Sequence, residues 1–393
     1  MGSLTTCEEI KLGTGSRLLR GLRYLSENES SNKAEKKENL RVVQVCPRYH
    51  PYIGGVETHV KEISERLVRK SIEIEVVTTD PKGALPEYQI INNVAVKRFK
   101  SWAPNEAYYV SRQLSNYLKK RSCECDIIHA HSYHAFPALY AALNKGDSKL
   151  IFTPHYHGRG HTFFRSLLFQ LYRYLGRRIF KESDRVIAVS EYERDLIQRD
   201  FNIDDDKLEI IPNGINKEEF KDLASRQKEN KTILSVGRLE KYKGFHHLIR
   251  VLPELEDDVN LEIVGKGPYM NNLLDLIRQN NLGDRVTLLH DLDRGELLQR
   301  YVDADLVALL SRDESYGLCV AEALAAGTPC VVAETSALTE WVDNKNCYGV
   351  GVPINYPELK TVIEETIGKK VEKIRLWDWD DVSEQLVKIY RGL

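Results

Sequence analysis

The chain has 393 residues, 42% hydrophobic and 29% charged, with 56 Lys and Arg against 58 Asp and Glu for a formal net charge of −2. That length holds two or three domains and excludes a lone small binding module, while the apolar content excludes a disordered chain. Near-neutral charge excludes generic nucleic-acid binding through excess positive charge, so any basic site must be local.

Residues 1–40 have no clear period, and the part from Ser26 to Asn39 is polar and charged, which predicts a partly flexible extension with one short helix around Leu18 to Leu25. Glu8, Glu9 and Lys11 lie where a signal peptide needs an apolar core, and no run reaches the roughly 18 to 20 apolar residues of a membrane span. Cysteine is sparse and odd in number, with only Cys123 and Cys125 close together in a CEC arrangement, which fits a reduced compartment better than a disulfide framework or zinc cluster. A cytoplasmic protein is expected.

From Val42 onward, short β-branched runs (VVQVC, IEIEVVTT, DIIHAH, KLIFTPH, RVIAVS) alternate with helical stretches such as ETHVKEISERLVRK. Strands separated by helices require crossover connections, hence a mostly parallel sheet covered on both faces. Within this half, residues 163–181 (FFRSLLFQLYRYLGRRIFK) mix large apolar groups with Arg165, Arg173, Arg177, Arg178 and Lys181. Such a segment can lie on an anionic membrane at its inner face; an ordinary helix with a buried apolar face accounts for it as well. The alternation restarts after the polar stretch Asn216 to Lys231, with TILSVG, LEIVGKG, VTLLHD, DLVALL and TPCVVAE. Two α/β domains of similar size, 41–215 and 216–375, are therefore predicted, with a ligand in the cleft between them. Residues 376–393 read as a terminal amphipathic helix, with Val382, Leu386, Ile389 and Tyr390 close to helical spacing.

Gly54 and Gly55 follow the first strand and precede a helix, where glycine either lets backbone amides approach an oxygen-rich ligand or merely supplies a turn of positive φ. A dinucleotide fingerprint is absent, because Gly265 and Gly267 are followed by Met270 where a third glycine belongs, and no Walker loop occurs. Histidines cluster at His129, His131, His134, His155, His157 and His161, the first and fourth of which begin sets at strand ends facing the expected cleft. Substrate contact is the first reading, hydrogen-bonded core histidine the second and a metal site the third. DxD pairs at Asp204, Asp291, Asp303 and Asp378 recur in unrelated contexts, and helix caps and turns explain them most simply.

The second half carries the more specific constellation. GRLEKYKG puts Arg238 and Lys243 in one strand-to-helix loop, where two cations could neutralise a pyrophosphate. Downstream, Glu314 and Glu322 flank Gly317, where a helix should begin, and on a continuous helix they would stand about 12 Å apart, too far to share a proton. Two separate ligand contacts, with a phosphate-attracting helix N-terminus between them, follow from that spacing.

Taken in order, GGVE, DIIHAHS, TPHYHG, RVIAVSE, IIPNGI, SVGRLEKYKG, IVGKGP and the glutamate pair resemble the retaining glycosyltransferases of the GT-B fold, family four (group 1), from Val42 to the C-terminus. The resemblance implies two Rossmann-like parallel-sheet domains facing across a cleft, the first for the acceptor and the second for a nucleotide sugar. It implies transfer of a hexose from a UDP- or GDP-linked donor to a glycan or lipid-linked acceptor, with no cofactor and no metal. Donor-site positions carried over are Gly54, Gly55, Gly237, Arg238, Lys243, Gly265, Glu314, Ser315, Tyr316, Gly317, Leu318 and Glu322. Arg238 and Lys243 would meet the diphosphate, Glu322 the ribose hydroxyls and Glu314 the sugar hydroxyls. His155 would lie beside the transferred sugar, with His157 a nearby substitute, and His129, His131 and His157 would fall on the acceptor side. The catalytic set is then His155, Arg238, Lys243 and Glu314, acting by front-face displacement. The C-terminal helix would return to the first domain, with hinges near Asn213 to Asn216 and near Leu376. Two alternatives are a sugar-nucleotide epimerase on the same fold and a non-catalytic nucleotide-sugar binder; retention of Arg238, Lys243, Glu314 and Glu322 together argues against the binder.

Overall fold

The two runs of alternating elements become two separate sheets in the computed structural model, which describes residues 40–158, 174–226 and 228–393. The extension at residues 1–39 and the segment 163–173 lie outside the described residues. In the first sheet, β1 (Arg41–Val45), β2 (Glu73–Asp80), β3 (Tyr88–Ile91), β4 (Val94–Lys100), β5 (Ile127–His131), β6 (Lys149–Thr153), β7 (Arg185–Ala188) and β8 (Leu208–Ile210) stand in the order β3-β4-β2-β1-β5-β6-β7-β8. Every neighbouring pair is parallel except β3 with β4. That hairpin has no counterpart in the sequence expectation. Its strands expose one face to water, so no continuous apolar run marks them, and its turn is the pair Asn92 and Asn93 at φ 47° and 66°.

The second sheet contains β9 (Lys231–Val236), β10 (Val259–Val264), β11 (Val286–Leu289), β12 (Leu306–Leu309), β13 (Cys330–Ala333) and β14 (Cys347–Val350), all parallel, in the order β11-β10-β9-β12-β13-β14. In each sheet the chain lays strands outward in one direction and then starts again on the other side. The reversal falls between β1 and β5 in the first sheet and between β9 and β12 in the second. Loops leaving such a pair of strands diverge to opposite faces and leave a crevice at the carboxyl edge.

Helices cover both faces. In the first domain these are α1 (Gly55–Arg69), α2 (Arg112–Arg121), α3 (Phe136–Leu143), α4 (174–182) and α5 (Glu191–Phe201); in the second they are α6 (Phe245–Val251), α7 (Met270–Gln279), α8 (Arg294–Asp303), α9 (Leu318–Ala325) and α10 (Tyr356–Thr366). α4 is the described part of the basic segment. Ile179 and Phe180 are buried in it, while Tyr174 and Leu175 are exposed. Among the described residues, no helix is long and apolar enough to cross a membrane.

The last helix, α11 (Trp379–Gly392), starts at an Asp378 capping box closed by Asp381 and runs along α1. Trp379, Val382, Leu386 and Tyr390 enter the same apolar cluster as Val60, Ile63 and Leu67 of α1, and Ile389 is only partly buried. Arg66 reinforces the contact through Asp380 at 3.1 Å. The chain thus crosses between the domains twice, and the crossings touch: Ile215 N donates to Trp377 O at 3.0 Å and Trp379 N to Ile215 O at 3.4 Å. Gly214 permits this approach, because a Cβ there would fall 2.4 Å from Trp379 N.

The burial of Trp379 makes it the anchor of the returning helix. Trp379→Ala should cost about 3 to 5 kcal/mol, against less than about 0.5 kcal/mol for Lys388→Ala on the exposed face of the same helix. Urea unfolding followed by far-UV circular dichroism checks both, and equal losses would show that α11 is not anchored through that ring.

Candidate active site

The second-domain half of the crevice is built at the β9/β12 reversal. After β9 the chain passes Gly237 and Arg238, makes a tight turn at Lys241–Lys243 and enters α6 through Gly244. Gly244 has φ 79°, and a Cβ on it would stand 2.1 Å from Leu310 O, so this corner packs directly on the end of β12 only as glycine. That contact brings Lys243 to the loop that follows β12, where its Nζ donates to Glu314 Oε1 at 2.5 Å. Burial opposes the ammonium charge, but the Glu314 carboxylate beside it outweighs that and raises Lys243 above its ordinary value. Lys243, half-buried, is therefore a fixed cation.

Glu314 is itself held at both backbone atoms: its N–H donates to Ser336 Oγ at 3.1 Å and its carbonyl accepts from Ala337 N at 3.3 Å. The loop ends at Gly317, which caps α9 at φ 91° and leaves room for Leu338 Cδ2, 2.9 Å from where its Cβ would be. Glu322 lies in α9, buried, and accepts from Arg294 Nη1 at 2.5 Å, while Arg294 Nη2 reaches Glu219 at 2.8 Å. The two glutamates thus have separate cations, in keeping with the spacing argument. Burial disfavours the Arg294 charge, and the Glu322 and Glu219 carboxylates more than restore it.

The remaining donor-site positions frame this pair. Gly237 and Gly265 sit where the ends of β9 and β10 nearly touch, a Cβ on Gly265 falling 1.9 Å from Gly237 O. Ser315 and Tyr316 are half-buried, and Tyr316 O accepts from Trp341 Nε1 at 2.7 Å. Leu318 packs against apolar clusters of both domains. Arg238 does not share the Lys243–Glu314 contact. Its exposed guanidinium crosses the cleft to Glu106 of the first domain at 3.5 Å, and Glu106 also takes Arg48 at 3.2 Å.

On the first-domain side the glycine pair departs from one expectation. Gly54 has φ 174°, ordinary extended backbone, and neither glycine is left-handed, so positive φ is not why they are there. A Cβ on Gly54 would instead lie 2.3 Å from Glu57 Oε2, whose partner oxygen accepts from Arg48 Nε at 2.8 Å. Among the described residues beyond its own helix and neighbours, nothing lies within 4 Å of where a Cβ on Gly55 would be.

The histidines divide. His129 is a correction to the acceptor-side expectation: it is fully buried, its Nδ1 meets Tyr390 Oη at 2.7 Å and its Nε2 meets Thr153 Oγ1 at 2.8 Å, so it belongs to the core. His131 is also fully buried, its Nε2 bound to Gln44 Oε1 at 2.7 Å, and it too is corrected from the acceptor side. His155, at φ 49° just beyond β6, turns its ring to His59 of α1, 5.0 Å between centroids. His157 is half-buried and packs on His134, with 4.6 Å between ring centroids. Of the DxD residues, Asp293 and Asp378 form capping boxes on α8 and α11, as helix chemistry predicted.

Comparison with known proteins now decides the family. The pattern of Glycosyltransferase Family 4 matches residues 53–219 and that of Glycosyl transferases group 1 matches residues 216–369. An uncharacterized glycosyltransferase of Methanocaldococcus jannaschii is 30% identical over 395 residues, 90% of this chain and 98% of that one. The chain belongs to the group 1 glycosyltransferases. A GDP-mannose:cellobiosyl-diphosphopolyprenol alpha-mannosyltransferase of Komagataeibacter xylinus is 23% identical over 92% of this chain and 95% of its own. Among solved structures, Anabaena HepE in complex with UDP and glucose superposes with a TM-score of 0.74 at 19% identity, over 90% of this chain and 100% of that one, which shows the shared GT-B fold.

Within this glycosyltransferase, sequence reasoning missed His59, Arg48, Glu106, Arg294 and Glu219. His59 had a usable signal, since it shares the inward face of α1 with Ile63 and Leu67. Glu106 and Glu219 had none, because their partners come from distant loops. Arg294 neutralises Glu322, so Arg294→Met should leave a buried carboxylate unpaired and lower stability by roughly 1 to 3 kcal/mol. Thermal melting of the glycosyltransferase and its variant checks this, and a melting temperature unchanged by the substitution would mean that Glu322 finds another partner.

Proposed function

We propose that this glycosyltransferase transfers a hexose from a UDP- or GDP-linked donor to a glycan or lipid-linked acceptor with retention of anomeric configuration. The carrying observation is the Lys243–Glu314 pair at the reversal between β9 and β12, a fixed charge at the place where a parallel sheet receives its ligand. The HepE structure holds UDP and the Komagataeibacter relative is named for GDP-mannose, so both bases stand as candidates.

In this reading the donor diphosphate lies against Lys243 and Arg238, with the amides at the start of α9 turned toward it. Glu322 receives the ribose hydroxyls, Glu314 the hydroxyls of the sugar, and His155 walls the sugar from the first domain. As the bond between the anomeric carbon and the phosphate oxygen breaks, its electron pair passes to the diphosphate, and fixed cations stabilise that charge with no metal at the phosphates. The acceptor oxygen bonds to the anomeric carbon on the same face, and its proton goes to a donor phosphate oxygen. Neither Glu314 nor Glu322 suits a nucleophile's role, since each is engaged by a cation. Acceptor specificity falls to the first domain, and the basic segment 163–181 is the part suited to an anionic membrane surface at the cytoplasmic face.

Calorimetric titration with UDP, GDP, ADP and their hexose conjugates tests the donor class, and proton NMR of the product tests retention. One nucleotide should bind selectively and turn over without added magnesium or manganese; an inverted product would overturn the mechanism. Lys243→Met should lower kcat by about a hundredfold or more. Because Glu106 competes for Arg238 through an exposed contact worth at most about 1 kcal/mol, Glu106→Gln should tighten nucleotide binding by no more than about fivefold. Weaker binding in that variant would mean Glu106 orders the cleft instead.

A further inference from the structure

Three imidazoles that the transfer reaction does not require as a group meet beneath the Gly54–Gly55 loop. His59 from α1, His131 from the end of β5 and His155 from beyond β6 are all buried, at 3%, 0% and 7% exposure. Their ring centroids lie 5.4, 5.0 and 6.2 Å apart, and one nitrogen from each lies within 4.8 Å of the others.

The hydrogen bonds around the group fix which nitrogens are left over. Gln44 Nε2 donates to Tyr390 Oη at 3.1 Å, so Gln44 Oε1 accepts from His131 Nε2, and the lone pair of His131 is on Nδ1. Asn213 Oδ1 accepts from His59 Nδ1 at 2.7 Å, so the lone pair of His59 is on Nε2. His59 Nε2, His131 Nδ1 and His155 Nε2 are the buried ring nitrogens of this group with no hydrogen-bond partner among the described residues. Two buried acceptors and a third ring nitrogen without a partner are left, and a cation among them satisfies all three once the proton of His155 is on Nδ1.

Burial also keeps these rings neutral: His59 is pushed down to about 4, and His131 and His155 lie well below the ordinary imidazole value, with neighbouring histidines adding to the effect. A second observation fits metal ligation. A histidine on a metal commonly donates its other N–H to a carbonyl oxygen, and His59 and His131 do so to the Asn213 and Gln44 amides, Gln44 being held in turn by Tyr390.

We infer that His59, His131 and His155 form a three-histidine site for a divalent first-row transition ion, zinc being the candidate that three imidazoles and an open fourth position suit best. A tetrahedral zinc ion places its nitrogens about 3.3 Å from one another, so the three rings close inward slightly around it. The ion is separate from the donor phosphates, which meet cations of the second domain. It ties α1, β5 and the loop after β6 together at the crossing marked by Asn213. With its Nε2 on the ion, His155 is a positioned wall of the sugar site and its single proton is on Nδ1. This adds a metal that the sequence did not lead one to expect and leaves transfer at the diphosphate free of it.

The test is metal content, which does not depend on the identity of donor or acceptor. Untagged full-length protein, exchanged into zinc-containing buffer and then freed of loose ions, should retain about one zinc per chain by plasma mass spectrometry. His59→Gln and His131→Gln should each lower that at least fivefold, and His290→Gln, an exposed histidine outside the group, should leave it unchanged. Cobalt in place of zinc should give the visible ligand-field bands of a four-coordinate site, displaced by added zinc. That readout needs only the native protein and decides the matter if a variant fails to fold. Wild type without bound ion, or ion retained equally in all the variants, overturns the assignment and leaves the site to a buried water. Nucleotide titration run alongside separates this result from the donor reading, since loss of one need not bring loss of the other.

Discussion

The Lys243–Glu314 pair is the constraint around which the second-domain half of the crevice is arranged. Partial burial penalises the Lys243 ammonium; with a carboxylate 2.5 Å away it stays charged at the end of a hydrophobic sheet. Such a pair is a weak source of stability, because desolvating two ions offsets most of their attraction. It persists through geometry: Gly244 lets the turn rest on Leu310, and Ser336 and Ala337 hold the backbone of Glu314. In the proposed reading those backbone contacts serve a reaction centre that needs a fixed charge and no reorganisation when negative charge develops.

Interdomain contacts differ in kind, and the difference bears on closure. The crossing at Gly214 and Trp379 is backbone against backbone in an apolar setting, and α11 seals it by burying Trp379 and Tyr390 against the first domain. The cleft contacts are polar and exposed: Arg238 with Glu106, and the Glu340 carboxylate accepting from the first amides of α5, Tyr192 N at 2.6 Å. Exposed ion pairs contribute roughly 0 to 1 kcal/mol and exchange readily with ligand groups. The fold therefore has a firm axis and a yielding mouth, the combination needed for rigid-body closure over a ligand.

Sequence made the architecture legible because parallel strands buried on both faces are continuous β-branched runs, and the intervening helices carry their own period. What it concealed follows the same logic. The β3–β4 hairpin lies at the edge, half in water, β8 spans only Leu208–Ile210, and β14 (Cys347–Val350) has Val350 as its one β-branched residue. At the site, Lys243, Glu314 and Glu322 were readable from their loops and from Gly317. Their partnerships were not, since Arg294 and Glu219 are brought to Glu322 by tertiary packing alone. The histidines show the limit most clearly. Alternation placed His129 and His131 at a strand end facing the cleft, yet α11 returns from the far end of the chain to cover them, and Tyr390 takes His129 as its partner.

That return gives the first domain a polar interior connected to the last helix. From Thr153 the hydrogen bonds run through His129, Tyr390 and Gln44 to His131, and each member is satisfied until the chain reaches the unpartnered ring nitrogens of His131, His59 and His155. A buried polar network is costly when one end is left open and rigid when it is closed. An ion at His59, His131 and His155 closes it at the crossing between the domains. The wall of the sugar site and the axis of closure would then share one rigid centre, linked through Tyr390 to the residues that end the chain.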